Sequence, residues 1–260
     1  MNNRIITTLA IAALLTSACP AVSSCMGAAG APFCEDLEMP KVSSSDIIRE
    51  YTGFRVCYNP DYRIPNWVAY ELTDEETRGE LDRSGQFRMD MDYKGTQAMR
   101  EDYSNSGWDK GHMAPAADFR WDQNAMFDTF FLTNICPQNH DLNGNDWNTL
   151  EKLCRTLARK HGSLWIVTGP IVNERKYGTI GDRRVVVPDA FFKALLVWDG
   201  DEYHSIGFIM ENSGKKQPVR KSFRTVDELE KITGIDFFPA LPDDIENAVE
   251  TQADIDFWTK

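Results

Sequence analysis

The sequence predicts a single α+β domain built on a central, mostly antiparallel sheet flanked by helices. Three observations carry that expectation. Short alternating segments rich in β-formers recur along the chain, and the last two, 191–198 and 203–211, meet at Asp199-Gly200, a tight-hairpin dipeptide. Two segments have helical signals: 143–160, with Trp147, Leu150, Cys154 and Leu157 near helical spacing before Gly162, and 225–234, where Thr225-Val-Asp-Glu228 reads as a capping box closed by Gly234. Finally, the 260 residues, 42% hydrophobic and 26% charged, show no internal repeat or second composition regime, so one domain suffices.

Residues 1–24 read as an export signal. Arg4 precedes the apolar run 5–15, which is too short to span a bilayer comfortably and suits a signal-peptide core. Thr16-Ser-Ala-Cys19 and Val22-Ser-Ser-Cys25 both resemble bacterial lipoprotein processing sites. Lipidation at Cys25 leaves Cys34, Cys57, Cys136 and Cys154, an even set for an oxidising compartment, whereas Cys19 leaves an odd one. A cleaved signal with a secreted product is the alternative. The expected location is the bacterial periplasm or cell surface, or the exterior, with any membrane contact made through the lipid.

Residues 25–44 read as a tether and 45–260 as the domain, with a short helix after Ser45. Strands are expected at 51–56 and 67–72, either side of the turn-rich Asn59-Pro-Asp-Tyr-Arg-Ile-Pro-Asn66. The charged stretch 73–103 reads as an irregular surface excursion. Residues 108–113 form a strand approach, 130–135 a buried strand and 143–160 the main helix. Further strands follow at 164–168, 184–187, 191–198 and 203–211.

The chemistry concentrates between Gly107 and Glu151. Two islands, Gly107-Trp-Asp-Lys-Gly-His112-Met-Ala-Pro115 and Asn134-Ile-Cys-Pro-Gln-Asn-His-Asp-Leu-Asn143, hold more polar function than a core requires. An imidazole with a pKa of about 6.5 is mostly neutral at neutral pH, so His112 is suited to accept a proton from water. The amide oxygen of Asn143 can hold a hard cation without adding negative charge, although the same residue also suits a helix N-cap. Glu151 lies about 80° round the helix from Asn143 at about 100° per residue, positioned to hold a metal water. Lys110 offers a point charge to a phosphate oxygen. Asn134 either orients the histidine or fixes the following loop. Together these residues point to metal-assisted phosphodiester cleavage. The formal net charge of -12 argues against non-specific nucleic-acid binding over the whole surface and leaves room for a local cationic groove.

Asp109-Lys-Gly-His112 resembles the Asp-Arg-Gly-His signature of the DNA/RNA non-specific endonucleases, the ββα-metal nucleases. Thr133-Asn134-Ile-Cys-Pro-Gln138, Leu142-Asn143, Trp147 and Leu150-Glu151 are similar to that family's second block. Weaker likeness runs through Asn66-Trp-Val-Ala-Tyr70, Val187-Pro-Asp-Ala-Phe-Phe-Lys193 and Gly234-Ile-Asp-Phe-Phe-Pro239. The resemblance implies a ββα-metal motif, His112 as general base, Asn143 as the direct protein ligand of Mg²⁺ (Mn²⁺ a substitute), and Glu151 in the metal's outer shell. It also implies Lys110 at the family's arginine and an upstream arginine near a Phe and an Asp, which Arg83 fits best and Arg88 also satisfies. DNA and RNA are the implied substrates, cut with little sequence preference. An inactive surface lipoprotein that only binds nucleic acid is the alternative. Lysine in place of arginine forfeits a two-pronged phosphate grip, and Cys136 stands where a small polar residue is expected. Cys136 and Cys154 are a candidate pair whose connectivity the sequence leaves open.

Overall fold

The computed structural model describes residues 35–260, so the expected export signal, both lipoprotein cysteines and the first half of the tether lie outside the described residues. The strands are β1 Ile47–Tyr51, β2 Phe54–Asn59, β3 Ile64–Thr73, β4 Asp109–His112, β5 Ile135–Gln138, β6 Ser163–Ile171, β7 Thr179–Ile180, β8 Val185–Val186, β9 Ala190–Trp198, β10 Tyr203–Glu211 and β11 Phe223–Arg224. The helices are α1 Gln123–Asp128, α2 Asn148–His161, α3 Val226–Thr233, α4 Asp243–Glu250 and α5 Ile255–Thr259. Seven strands form one sheet in the order β1-β2-β3-β6-β9-β10-β11, and every neighbouring pair is antiparallel. The α+β expectation is met.

Period-two side-chain alternation gives the sheet two apolar faces. Val56, Tyr58, Val68, Tyr70, Leu72, Ile166, Leu195 and Ile206 pack with Leu150, Cys154 and Leu157 of α2 and with Ile135 of β5. Cys57, Trp67, Ala69, Val167, Phe192, Ala194 and Leu196 pack with Val226 and Leu229 of α3 and with Phe237, Phe238 and Leu241. Because both faces are covered, the central strand β9 is buried along nearly its whole length. The Thr225–Glu228 capping box and the left-handed Gly234 that bound α3 form as the sequence predicts. Gly162, at φ +91°, ends α2.

Several expected elements are corrected. The segment after Ser45 is strand β1, not a helix: Ile47 and Ile48 pair with Tyr58 and Cys57, as suits β-branched side chains. The expected strand 51–56 is two strands with a reversal at Thr52-Gly53, where Gly53 takes φ +87°. The buried strand expected at 130–135 is mostly a short 3₁₀ turn, Leu132–Asn134, and pairing with β4 begins only at Ile135. The last ten residues assigned to the tether belong to the fold, since Leu37 is buried with the α3 side of the core and the Lys41 amide donates to the Asp236 carbonyl. Cys136 and Cys154 are separate buried thiols, as is Cys57, and their pKa values are pushed up by burial.

Candidate active site

The site is assembled on a two-stranded ribbon and the helix that follows it. In β4, alternation sends Lys110 and His112 to one face and Asp109 and Gly111 to the other. Gly111 pairs with Cys136 of β5, and a Cβ on it would lie 2.2 Å from Gln138 Oε1 and 2.6 Å from Gln138 Cβ. Glycine is therefore required here by close approach, while its backbone torsions are ordinary. The chain leaving His112 is clamped by Asn134, which is fully buried. The Asn134 side chain accepts from the Ala114 amide and donates to the Ala114 and Thr129 carbonyls, each at 2.9 Å. Every polar atom of that amide is thus spent on backbone. Asn134, counted in the catalytic set by the sequence reading, fixes the loop and does not enter the cleft.

The helix does not begin on Asn143 as a cap. Asn139 takes the capping part, its Oδ1 accepting from the Asp141 and Leu142 amides. Leu142–Trp147 then winds as a π-helical turn before α2 begins at Asn148. Such widened turns recur at functional sites. The π turn carries Asn143, and the first turn of α2 carries Asn148 and Glu151. All three of these polar side chains line one cleft.

Lys110, His112, Asn143, Asn148 and Glu151 line one open cleft of ≈ 550 Å³ together with Arg83, Arg120 and Pro115. The His112 ring is wedged between Phe87 and Phe130, with centroids at 5.3 and 5.2 Å. Its Nε2 is buried and has no hydrogen-bond partner among the described residues. Burial first, and the Arg83 charge second, pull its pKa down to about 3, so the imidazole is neutral at physiological pH. Glu151 is shifted the other way, to about 7, chiefly by burial, with Lys193 opposing the shift and Asp118 adding to it. Beneath this carboxylate, Asp118 accepts from Arg155 at 2.6 Å and from the Tyr70 hydroxyl at 2.9 Å. The Lys110 ammonium lies 5.6 Å from the Phe87 ring centre and 5.3 Å from that of Tyr103, and burial lowers its pKa.

The donor set suits a hard divalent cation. Asn143 donates through Nδ2 to Asp109 Oδ2 at 2.9 Å, and a carboxylate acceptor fixes that end of the amide as nitrogen. The amide oxygen is thereby turned away from Asp109, on a residue that lines the cleft with Glu151. Oxygen donors with one carboxylate nearby, and room for water, match the coordination preference of Mg²⁺-type ions.

The structure separates the two candidate arginines. Arg83 reaches the cleft with its guanidinium 5.7 Å from the Phe130 ring. Arg88 donates to the Gln86 carbonyl and lies 3.5 Å from the Phe127 ring centre, lining another hollow. Two contributors escaped sequence reasoning. Asp109 orients Asn143 and also contacts His140 Nδ1 at 3.0 Å; its place in the same strand as His112 was the available signal. Arg120 donates to the Leu81 and Glu80 carbonyls at 2.6 and 3.1 Å, tying down the loop that carries Arg83. Nothing in the local sequence links residues that far apart.

Comparison with known proteins identifies a family and a shared fold. Residues 38–244 match the profile of the DNA/RNA non-specific endonuclease family. The chain is 34% identical over 224 residues to the mitochondrial nuclease EXOG of Xenopus laevis, covering 80% of this chain and 62% of that protein. It is 35% identical over 206 residues to human mitochondrial endonuclease G, covering 74% of this chain and 69% of that one. Among solved structures, that of the EndoG/EndoGI complex superposes with a TM-score of 0.74 at 28% identity, over 80% of this chain and 90% of the other. The chain thus spans under two thirds of the length of the Xenopus relative.

Proposed function

This chain belongs to the DNA/RNA non-specific endonuclease family, and from that membership we propose that it is an Mg²⁺-dependent endonuclease hydrolysing DNA and RNA with little sequence preference. One observation carries the reading: a neutral, unpartnered imidazole, the oriented carboxamide of Asn143 and two cationic side chains line the same open cleft.

His112 is the general base. Its proton-free form persists across physiological pH, and the aromatic pair holds the ring at the cleft, where the neutral imidazole can take a proton from an attacking water. Asn143 would hold the cation through its amide oxygen, with Glu151 anchoring the cation's water shell from the same wall. A bound Mg²⁺ supplies Lewis-acid stabilisation of charge on the phosphate and leaving oxygens. Lys110 and Arg83 bind the non-bridging phosphate oxygens, and both line the cleft without a carboxylate salt-bridge partner among the described residues. Asn134 keeps the Met113–Pro115 loop in register so that His112 presents its ring. Water as nucleophile makes no use of a ribose 2′-OH, which supports action on both sugars.

Digestion of plasmid and single-stranded RNA by the purified chain, with and without EDTA, tests this. Both substrates should be cut, chelation should stop cutting, and His112→Ala should lower kcat by at least about 10²-fold. Cutting that survives EDTA removes the metal; an unchanged rate in His112→Ala removes the base. Filter binding without cleavage by the wild-type chain would point instead to an inactive binding lipoprotein.

The leader supports export of this nuclease, anchored by lipid at Cys25 or Cys19 or released after cleavage. Among the described residues no helix is long and apolar enough to cross a membrane. Palmitate labelling of Cys19→Ala and Cys25→Ala proteins separates the three routes.

A further inference from the structure

A second cluster lies across the sheet from the cleft, where α3 and α4 meet. One carboxylate oxygen each of Asp227, Glu230 and Glu250 lie within 4.8 Å of one another. Asp227 and Glu230 project from α3, and Glu250 ends α4. The two helices pack on β10, with Val226 and Leu229 in the α3-side core. Glu250 is only 5% exposed, and its Oε1 has no hydrogen-bond partner among the described residues. Glu230 uses Oε1 to accept from the Phe237 amide at 2.8 Å, which leaves its other oxygen available.

We propose that Asp227, Glu230 and Glu250 form a binding site for a hard divalent cation of the Ca²⁺ type, which ties the end of α4 to α3. Three carboxylates at this separation repel unless a proton or a cation intervenes, and an orphaned buried oxygen among them marks the missing partner. Further acids crowd the same end: Asp236 and Glu246 add to the field that pushes the Glu250 carboxyl up to about 9, chiefly through burial. The basic groups nearby reach only the margin, Lys231 lying 3.6 Å from Asp227 and Lys41 2.9 Å from Asp236.

Reach and geometric tolerance favour Ca²⁺. Three oxygens can touch one cation only if no pair is separated by more than twice the metal–oxygen distance, about 4.6–5.2 Å for Ca²⁺ and about 4.0–4.2 Å for Mg²⁺. All three oxygens lie within 4.8 Å of one another, inside the span that the longer Ca²⁺–oxygen distances allow. Ca²⁺ also tolerates irregular geometry, and water can complete its shell on the exposed side of Asp227 and Glu230. The site involves no cleft residue, so it stands whether or not the nuclease reading does.

The test uses the full chain carrying Asn143→Ala, which removes the cleft's amide donor so that the readout reports the helix site. Equilibrium dialysis with ⁴⁵Ca²⁺ should find one bound ion. Thermal unfolding in CaCl₂ at about 100-fold over Kd should occur about 5–10 °C higher than in NaCl at equal ionic strength, with a smaller rise in MgCl₂. Adding Glu250→Gln should abolish binding and the Ca²⁺-dependent shift. Asp227→Asn, on a half-exposed side chain, should weaken binding at least tenfold and serves if Glu250→Gln does not fold. Absence of Ca²⁺ binding to the Asn143→Ala chain, as expected if the three acids merely share protons, would overturn the proposal. So would binding that survives both substitutions.

Discussion

Replacing Asp109 by alanine isolates what the structure adds to the proposed chemistry. Asp109 does not face the cleft; its carboxylate holds Asn143 Nδ2 at 2.9 Å and thereby aims the amide oxygen. A hydrogen bond to a charged acceptor contributes about 1.5–3 kcal/mol, and the half-exposed position of Asp109 places this one at the lower end. About 1.5 kcal/mol corresponds to roughly a tenfold loss in cation affinity, at the low end of the 10–100-fold range for residues that orient metal ligands. The assay is nuclease rate against Mg²⁺ concentration. Asp109→Ala should raise the half-saturating Mg²⁺ about tenfold and recover most of the wild-type rate at saturation. Asp109→Asn, which keeps an acceptor oxygen without its charge, should raise it only about fivefold, as suits a neutral bond weaker by about 1 kcal/mol. An Asp109→Ala protein with the wild-type Mg²⁺ profile would refute the orientation argument, and one dead at every Mg²⁺ concentration would show that Asp109 does more than orient.

Further expectations follow from the same geometry. The depressed pKa of His112, about 3 when folded against about 6.5 unfolded, means the unfolded chain binds the extra proton. Its stabilising contribution is therefore complete above about 6.5 and is lost as pH falls towards about 3, with a slope of up to about 1.4 kcal/mol per pH unit. Denaturant unfolding in EDTA across pH 4–7.5 should be flatter for His112→Ala, and parallel curves would contradict it. Asn134→Ala strands one buried amide and two carbonyls and should cost at least about 3 kcal/mol, read as a lower midpoint in urea. Gly111→Ala forces a methyl against Gln138, and a loss of about 1–3 kcal/mol is expected with activity falling further as His112 shifts. Arg83→Ala should lower kcat/KM at least about tenfold and Arg88→Ala leave it near wild type, and the reverse order would transfer the phosphate role to Arg88.

Local chemistry made much of this molecule legible in its sequence. Alternation of apolar residues gave β9 and β10, and the Thr225–Glu228 cap with Gly234 gave α3. The spacing of His112, Asn143 and Glu151 gave the composition of the cleft, and these three do share it. Such features depend on near neighbours, so a short window contains their cause. Where neighbours send mixed signals a short window misleads: the polar stretch after Ser45 suggests a helix, whereas Ile47 and Ile48 form a strand through pairing with β2, beyond the turn at Gly53.

Other properties depended on contacts between residues remote in the chain. Asn134 became a clamp because Ala114 and Thr129 bring three backbone groups to it. Arg83 was placed in the cleft with help from Arg120, which pins the Glu80 and Leu81 carbonyls just before it. The π turn Leu142–Trp147 replaced the regular helix start that the sequence predicts at Asn143. The acidic cluster at Glu250 exists only because the end of α4 comes to rest beside Asp227 and Glu230 of α3. Sequence thus determined which groups were present and their local backbone habit. Tertiary structure decided which of them lost water, and desolvation is what holds His112 neutral and lifts the Glu151 carboxyl into the neutral range.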